Sequence, residues 1–229
     1  PVFNEARNIE ILTNKIIKLL NKFKFEIIFV DDNSQDNSKK ILKNLKKKYF
    51  FFKPILRNKF NRDLTQSCFE GIEKSTFEKV VIMDGDLQHD PNYIPKLYKK
   101  LNKEIDIVVG TRNFLKGRNP GLSWIRKQMS KILIFMFSII SNKTKDPMSG
   151  FFIFKKYIYF KNKKKFYGKG FKILIDLIIN SEKKLNVLDF DIVFKRRLNN
   201  KSKMNIKIML ILIKLYIFSF INKFILLRF

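Results

Sequence analysis

The sequence predicts an α/β protein with a mainly parallel sheet, and two patterns along the chain carry this prediction. Short continuous apolar runs alternate with stretches in which apolar residues recur every three or four positions. Acidic residues follow directly after two of the apolar runs. Alternating strands and helices are typical of parallel sheets, whose ligands bind outside the carboxyl ends of the strands.

The first predicted elements are a helix and a buried strand. Leu12, Ile16 and Leu19 share one face at helical spacing, and residues 26–30 form the first apolar run. The elements that follow are a Lys-rich helix ending near Lys48, a strand at 51–56, a helix at 64–74, a strand at 79–83, a helix at 93–101, a strand at 105–109, and helical stretches at 124–141 and 204–229.

Composition bounds the class of protein. The chain has 229 residues, of which 45% are apolar, so it can bury one substantial core and is neither disordered nor fibrous. The formal net charge of +28 favours a polyanionic partner, namely nucleic acid, an anionic membrane surface or a phosphorylated substrate. An alternative stays open, because an AT-rich genome enriches a protein in lysine without any such partner.

The counts of cysteine and histidine exclude two kinds of site. Cys68 is the only cysteine and cannot form an intramolecular disulfide, which indicates a reducing, cytoplasmic-side location. His89 is the only histidine, which excludes a histidine-rich zinc site. We expect Cys68 to be a buried apolar residue and His89 to pack or cap beside the acidic loop that precedes it.

Two acidic clusters follow predicted strands. Asp31 and Asp32 end the first strand, and Asp84, Asp86 and Gln88 follow the strand at 79–83. Both clusters are expected at the carboxyl edge of one sheet, where their oxygens would form a nucleotide-and-metal site. For the second cluster alone, a polar turn in which Asp90 caps the next helix is the alternative.

The last segment combines lysines with apolar residues. Lys203, Lys207 and Lys214 fall on one helical stripe beside a broad apolar face that includes Leu212 and Leu215. This pattern predicts an amphipathic helix in a membrane interface, and a terminal helix packed on the core is the alternative. The predicted division of the chain is a catalytic domain at 1–203 and a membrane-associated helix at 204–229.

Six segments together resemble the family 2 glycosyltransferases, and within them the polyprenyl-phosphate (dolichol-phosphate) mannosyltransferases. The resemblance extends over nearly the whole chain, with the segments in the correct order. The segments are Pro1-Val-Phe-Asn-Glu5, Val30-Asp-Asp-Asn-Ser-Gln-Asp36, Asp84-Gly-Asp-Leu-Gln-His89, Gly110-Thr-Arg-Asn113, Asp146-Pro-Met-Ser-Gly-Phe-Phe152 and Phe194-Lys-Arg-Arg-Leu-Asn-Asn-Lys-Ser-Lys203. The resemblance implies a nucleotide-diphospho-sugar transferase fold of the GT-A, Rossmann-like type. It also implies that the family's first strand is missing before Pro1.

The resemblance assigns roles on the donor side. It implies a nucleotide pocket at Pro1, Phe3 and Glu5, with Asp32 at the base or ribose. The metal-binding element, which would hold Mg²⁺ or Mn²⁺ against the donor diphosphate, corresponds to Asp84, Asp86 and Gln88.

The resemblance also assigns roles around the acceptor and the reaction centre. Arg112, Arg126 and Ser130 match the region that binds the acceptor phosphate. Asp146 lies near the reaction centre, and a mobile loop over the donor phosphates corresponds to Arg197, Ser202 and Lys203. Asp86, Asp146 and Arg197 are the expected catalytic residues.

The implied reaction is inverting transfer of a sugar to polyprenyl phosphate at the cytoplasmic face of a membrane, by a peripheral or monotopic protein. The implied donor is GDP-mannose, and a UDP-sugar that donates glucose or N-acetylglucosamine is the alternative. A degenerate scaffold and a basic nucleic-acid-binding protein are remote alternatives. The chain departs from the family at Phe60, Asn61 and Arg62, which replace small residues of a glycine-rich turn, and at Phe152 and Asn200.

Overall fold

The computed structural model describes residues 1–59, 62–112, 124–170, 172–182, 184–195 and 206–224, and it describes side chains there except in 124–130 and 206–209. Within these ranges the fold is α/β, as predicted. The helices are α1 (Ala6–Leu20), α2 (Ser38–Lys48), α3 (Leu64–Lys74), α4 (Ile94–Lys100), α5 (Trp124–Ile140), α6 (Tyr157–Asn162), α7 (Ile173–Ile179) and α8 (Ile206–Phe224). The strands are β1 (Ile27–Asp31), β2 (Phe52–Leu56), β3 (Lys79–Ile82), β4 (Ile107–Arg112), β5 (Phe152–Lys155) and β6 (Val187–Ile192).

The strands form two sheets within the described residues. β1 and β2 pair in parallel, with Ile27 opposite Phe52. The second sheet has the order β3-β5-β4-β6, in which β4 and β6 are parallel and β5 runs antiparallel to both of its neighbours. The mainly parallel arrangement was predicted. Strands β5 and β6 were not predicted, and the antiparallel direction of β5 has no local signal in a short buried apolar strand.

Two apolar clusters cover the two faces of the sheets. Residues of α1, α2 and α4 pack in the first cluster, where Ile9, Leu42 and Leu97 are buried. Residues of α3, α6 and α7 pack in the second. Successive side chains of β5 alternate between the clusters, as strand geometry requires. This layering fixes the carboxyl ends of the strands and therefore the loops that follow them.

The terminal helix α8 packs on the protein with part of its apolar surface. Leu212 and Leu215 are buried in a third cluster with Phe137 of α5 and Ile175 of α7. The expectation that Leu212 and Leu215 face a membrane is therefore wrong, because α5 and α7 already cover them. Lys214 is exposed as expected. No helix in the described part of the chain combines the length and the apolar character that a bilayer crossing needs.

Candidate active site

The first residues of the chain lie against the carboxyl end of β1. Val2 forms a parallel bridge with Asp31, donating its N–H to the Val30 carbonyl (2.8 Å) and accepting from the Asp32 N–H (2.9 Å). Asn33 follows with a φ of 62°, a conformation that asparagine tolerates better than most residues. The bridge brings Pro1 and Phe3, two predicted pocket residues, to the loop that contains Asp32.

Side chains lock this segment in place. The Ser34 hydroxyl accepts from the Asn4 N–H (2.8 Å), and the Ser38 hydroxyl accepts from the Glu5 N–H (3.2 Å). Glu5 is buried, and its Oε2 accepts from the Asn8 side-chain amide at 2.6 Å. The first two bonds satisfy the N–H groups of the two residues that precede α1 and hold them against the loop after β1. Hydrogen bonds therefore hold the segment of the predicted pocket, residues 1–5, in a fixed position.

Asp32 connects the loop after β1 to the start of α3. One carboxylate oxygen accepts from the Arg57 guanidinium, and the other accepts from the Asp63 N–H at 2.8 Å. Arg57 is buried and also donates to Glu70 at 3.0 Å. Burial raises the pKa of Asp32, and the Arg57 charge only partly offsets this effect. A base or ribose bound to Asp32 would share a carboxylate that already accepts these two hydrogen bonds.

Phe3 lies under a cation. The Arg62 guanidinium is centred 4.0 Å from the centroid of the Phe3 ring, within the range of a cation–π contact. Arg62 belongs to the stretch where the sequence departs from the glycine-rich turn that the resemblance implies. The departure from the family pattern therefore places a positive group at the predicted nucleotide pocket.

The loop that follows β3 is strained. Leu87 adopts a φ of 61°, which costs a side chain other than glycine about 1–2 kcal/mol. Asp86 and Gln88 on either side are buried, and Asp86 Oδ1 accepts from the Gln88 N–H at 3.1 Å. Asp90 caps the following 3₁₀ turn by accepting from the Asn92 N–H (3.0 Å), as the alternative interpretation of this loop predicted. Strain of this kind clusters at functional sites.

His89 packs beneath this loop, as predicted. Its ring lies 5.3 Å from the Phe151 ring and 5.2 Å from the Phe194 ring. Burial lowers the pKa of His89 to about 4 against the opposing charge of Asp86, so the imidazole is neutral at pH 7. Nδ1 is buried, has no hydrogen-bond partner among the described residues, and lies 3.8 Å from Asp84 Oδ2.

Arg112 and Asp146 form a buried ion pair. Arg112 Nε donates to Asp146 Oδ2 and Nη2 donates to Oδ1, each at 2.7 Å, and the Arg112 backbone N–H donates to Oδ2 at 3.1 Å. Asp84 lies nearby, because a Cβ on Gly150 would come within 2.7 Å of its Oδ2. The loop after β3, the end of β4 and the segment before β5 therefore meet at one place.

The end of β6 is tied to the same loop. The Lys195 N–H donates to the Gln88 carbonyl (2.9 Å), and the Gln88 side-chain amide donates to the Lys195 carbonyl (3.0 Å). Lys195 Nζ also pairs with Asp90 at 2.7 Å. The chain therefore leaves β6 directly over the predicted metal-binding loop.

Several predicted site residues lie outside the part of the chain whose side chains are described. Arg126 and Ser130 belong to α5, but their side chains lie outside the described residues. Arg197, Ser202 and Lys203 also lie outside the described residues. Their roles stay predictions.

The sequence did not identify three residues that organise the site. Arg57 belongs to none of the quoted motifs, although it anchors Asp32. Phe194 was quoted within a motif without a role, yet it packs on His89 and lies 5.6 Å from the Arg112 guanidinium. Lys172 donates to the Met148 carbonyl at 2.7 Å. Each acts across a long sequence separation, so no local pattern marks it.

Asp84, Asp86 and Gln88 are the residues that could hold a divalent cation. Among the described residues no three Asp, Glu, His or Cys side chains form a complete metal site. Two carboxylates and an amide leave positions for diphosphate oxygens, and Mg²⁺ commonly binds with one or two carboxylates plus substrate phosphates. The orphaned Nδ1 of His89 beside Asp84 also indicates a loop built around a further group. The residues present therefore fit such a cation.

Comparison with known proteins identifies the family. Residues 1–164 match glycosyl transferase family 2. The chain belongs to this family. The match includes both acidic clusters and the Arg112–Asp146 pair. The family 2 glycosyltransferase assignment expected from the sequence motifs is therefore confirmed.

The curated relatives of this family 2 chain include three proteins named dolichol-phosphate mannosyltransferase. The protein of Pyrococcus furiosus is 31% identical over 207 residues, which cover 89% of this chain and 57% of that protein. The Saccharomyces cerevisiae protein is 30% identical and covers 96% of this chain and 86% of its own length. The Mycosarcoma maydis protein is 30% identical, with coverages of 85% and 68%. The chain thus spans little more than half of the archaeal relative.

Solved structures support the fold of this glycosyltransferase. Glucosyl-3-phosphoglycerate synthase of Mycobacterium tuberculosis, crystallised with Mn²⁺, UDP-glucose and phosphoglyceric acid, superposes with a TM-score of 0.72. The match covers 97% of this chain and 77% of that one at 14% identity. Its complex with Mn²⁺, UDP and glucosyl-3-phosphoglycerate gives a TM-score of 0.71. The predicted GT-A-type fold is thereby confirmed.

Proposed function

We propose that this chain is an inverting glycosyltransferase that moves mannose from GDP-mannose to polyprenyl phosphate. The observation that carries the proposal is the identity of 30–31% with three dolichol-phosphate mannosyltransferases across 85–96% of this chain. The site supports it, because acidic, basic and aromatic side chains meet at the carboxyl edge of the strands, where such folds bind their ligands.

The donor binds between the first residues of the chain and the loop after β3. Pro1, Phe3, Glu5 and Asp32 line the nucleotide pocket, and Arg62 adds a positive charge over the Phe3 ring. The side chains that hold Mg²⁺ or Mn²⁺ are Asp84, Asp86 and Gln88. A cation bound there would supply positive charge against the departing diphosphate.

The acceptor oxygen needs no strong base. A polyprenyl phosphate oxygen is already anionic at neutral pH, so the reaction requires an aligned acceptor more than proton removal. Arg112 lies at the end of β4, and both Asp146 oxygens accept its N–H groups. Asp146 therefore positions Arg112 at the acceptor phosphate instead of acting as a general base. We assign binding of the same phosphate to Arg126 and Ser130 as well, from their match to the family motif.

Charge on the leaving nucleotide is stabilised by the chain that continues from β6. We assign this role to Arg197, Ser202 and Lys203. The contacts of Lys195 with Gln88 and Asp90 support the assignment, because they start this segment directly over the metal-binding loop. Preorganised cations at the position where charge develops are an efficient source of rate enhancement.

The protein attaches to the cytoplasmic face of a membrane through α5 and α8. Leu133 and Phe137 of α5 pack against Leu212 and Leu215 of α8, so the two helices form one unit. The exposed apolar side chains of this unit are Ile132, Phe135, Ile139, Leu210, Ile213, Ile217, Phe220, Ile221 and Phe224. A large exposed apolar patch beside exposed lysines suits the boundary between headgroups and acyl chains.

A donor panel tests the proposed function. The 229-residue chain is incubated with radiolabelled GDP-mannose, UDP-glucose or UDP-N-acetylglucosamine, native polyprenyl phosphate extract and Mg²⁺ or Mn²⁺. We expect label in the lipid fraction with GDP-mannose and loss of the signal with EDTA. Transfer from a UDP-sugar but not from GDP-mannose would contradict the assignment of GDP-mannose as the donor. Hydrolysis of the donor without labelling of the lipid would contradict the assignment of polyprenyl phosphate as the acceptor.

A further inference from the structure

A short segment between α6 and α7, residues 167–170, packs against α8. The Tyr167 ring lies 5.2 Å from the Phe218 ring of α8. Gly170 adopts a φ of 99°, and a Cβ at this position would come within 2.5 Å of Ile211 Cγ2. Glycine is the residue that allows both this backbone conformation and so close an approach. The 167–170 segment is therefore in direct contact with α8.

Asp176 of α7 holds the backbone of the same segment. Its side chain is buried, and its two oxygens accept from the Tyr167 N–H (2.8 Å) and from the Gly168 N–H (2.7 Å). The Asn180 side-chain amide also donates to Asp176, at 2.7 Å. Helices α7 and α8 both contribute side chains to the third apolar cluster. The segment and these two helices therefore form one packed unit.

The same segment is hydrogen-bonded to the start of α3. The Thr65 N–H donates to the Gly170 carbonyl (3.0 Å), and the Gly170 N–H donates to Asp63 Oδ2 (2.8 Å). The other oxygen, Asp63 Oδ1, accepts from the Gln66 N–H at 3.0 Å, so Asp63 is the N-cap of α3. One carboxylate oxygen of Asp63 therefore caps the helix, and the other binds the segment that contacts α8.

The backbone of Asp63 also holds the carboxylate of Asp32. The Asp63 N–H donates to Asp32 Oδ2 at 2.8 Å. The Asp63 carbonyl accepts from Arg57 Nη1 at 3.1 Å, and the same guanidinium nitrogen donates to Asp32 Oδ1. Asp63 is thus connected to both oxygens of Asp32, directly to one and through Arg57 to the other. A displacement of Asp63 would therefore change the orientation of the Asp32 carboxylate.

We propose that Asp63 is a positioning residue for donor binding, and that through it the packing of α8 on the 167–170 segment sets the orientation of the Asp32 carboxylate. This inference rests on the proposed function, in which Asp32 binds the nucleotide of the donor. The helix that carries part of the proposed membrane face is thereby coupled to the donor pocket. On the acceptor side Arg112 is held by Asp146 instead, so the coupling acts on the donor and not on the acceptor.

Variants of the full 229-residue chain test this proposal: Asp63→Asn, Ile211→Ala, the two combined, and Ile17→Ala as the control. Asparagine is as good an N-cap as aspartate, but it offers one acceptor oxygen where Asp63 uses two. Ile17 is a half-buried isoleucine of α1 packed on the first apolar cluster, so its truncation matches that of Ile211.

Two measurements are made on each variant at a temperature well below its Tm. Calorimetric titration with GDP, and separately with UDP, in the presence of Mg²⁺ gives the Kd of the nucleotide. Transfer assays give the KM for GDP-mannose and the KM for polyprenyl phosphate. The comparison of the two KM values separates a change in the donor pocket from a general loosening of the fold, which would affect both.

We expect Asp63→Asn and Ile211→Ala each to raise the nucleotide Kd and the donor KM by at least about threefold, while the acceptor KM stays unchanged. Ile211→Ala should have little further effect in the Asp63→Asn chain, because the contact through which it acts is already broken. Loss of a carboxylate charge alone would favour binding of an anionic nucleotide, so weaker binding by Asp63→Asn reports the lost positioning.

Nucleotide affinities of Asp63→Asn and Ile211→Ala equal to that of the Ile17→Ala control would overturn the proposal. Strictly additive losses in the double variant, or equal rises in both KM values, would overturn it as well. Binding of UDP but not GDP to the unaltered chain would contradict the proposed donor, and the coupling would then be decided by the UDP titrations. Binding of neither nucleotide to the unaltered chain would overturn both the proposed function and this inference.

Discussion

Arg112 and Asp146 face each other through two parallel hydrogen bonds of 2.7 Å, and the Asp146 side chain is completely buried. The pair joins the end of β4 to the segment before β5, 34 residues later in the chain. The Asp146 charge raises the pKa of Arg112 further above its usual value, although burial acts in the opposite direction. The guanidinium is therefore held, charged, at a fixed point of the site.

Arg112→Ala should lower the free energy of unfolding by about 3–5 kcal/mol, because it leaves a buried carboxylate without its cation. Arg112→Lys keeps the charge but loses the two-point geometry, so it should retain more stability than the alanine variant. Urea unfolding measures the free energy of unfolding of both variants. The Arg112→Ala, Asp146→Ala double variant should lose less than the sum of the single losses. Strict additivity would contradict the direct coupling of the pair.

Asp86→Asn should abolish cation-dependent transfer while the protein stays folded. Asparagine preserves the shape of this buried side chain but lacks the charge that binds a hard cation. Loss of a residue that supports a metal ligand lowers metal affinity or activity by about 10–100-fold, so loss of a direct ligand should lower activity by at least about 100-fold. Glu73→Gln, which removes one charge from α3, is the control. Activity of Asp86→Asn equal to that control would contradict the metal assignment.

The Glu26 carboxylate, next to the start of β1, forms hydrogen bonds whose contribution to stability depends on pH. Burial raises its pKa, but hydrogen bonds from Lys53 (2.6 Å) and the Thr76 N–H (2.6 Å) outweigh burial and hold the pKa below its usual 4.5. The stabilisation is therefore complete above pH 4.5 and is lost as pH falls through the lower pKa of the folded state. Glu26→Gln should lower Tm at pH 7, and the difference should shrink below pH 4.5.

Thermal scans from pH 7 to pH 3 check this dependence. Glu10→Gln, on the exposed side of α1, is the matched control and should leave Tm almost unchanged. A Tm difference for Glu26→Gln that stays constant down to pH 3 would show that its carboxylate charge is not the source of the stabilisation.

Phe135→Asp and Ile217→Asp should weaken binding to anionic liposomes. Phe135 is 68% exposed on α5 and Ile217 is 51% exposed on α8. Burying one such side chain contributes about 1.5–3 kcal/mol, so each change should weaken binding by at least about tenfold. Co-sedimentation with the liposomes measures the binding of each variant. Phe50→Asp changes a side chain that is 95% exposed outside α5 and α8 and should have little effect. Equal effects at all three positions would place the membrane face elsewhere.

Local patterns predicted the helices and strands up to β4 and the two long helices α5 and α8, but they gave no prediction for β5, α6, α7 or β6. Helix α3 has the predicted bounds of residues 64–74, because its apolar spacing and the Asp63 cap, which accepts from the Gln66 N–H, are both local features. The acidic loop after β3 was predicted for the same reason. His89 was correctly expected to pack beside that loop, and Cys68 to be buried.

Long-range relationships escaped prediction. The antiparallel direction of β5, the pairing of Arg112 with Asp146 and the anchoring of Asp32 by Arg57 each depend on where distant segments meet. The packing of Leu212 and Leu215 against α5 is of the same kind. An apolar helical face has the same sequence signature whether a membrane or another helix covers it.

The most direct test of the central claim is the identity of the lipid product formed in vesicles that contain either polyprenyl phosphate or the free polyprenol. The chain is supplied with GDP-mannose and Mg²⁺ or Mn²⁺, and the lipids are analysed by mass spectrometry. We predict a single mannosyl phosphate lipid from polyprenyl phosphate and no product from polyprenol, because only the phosphate supplies an anionic oxygen without a base. A mannosylated polyprenol, or no mannosylated lipid from either acceptor, would contradict the account.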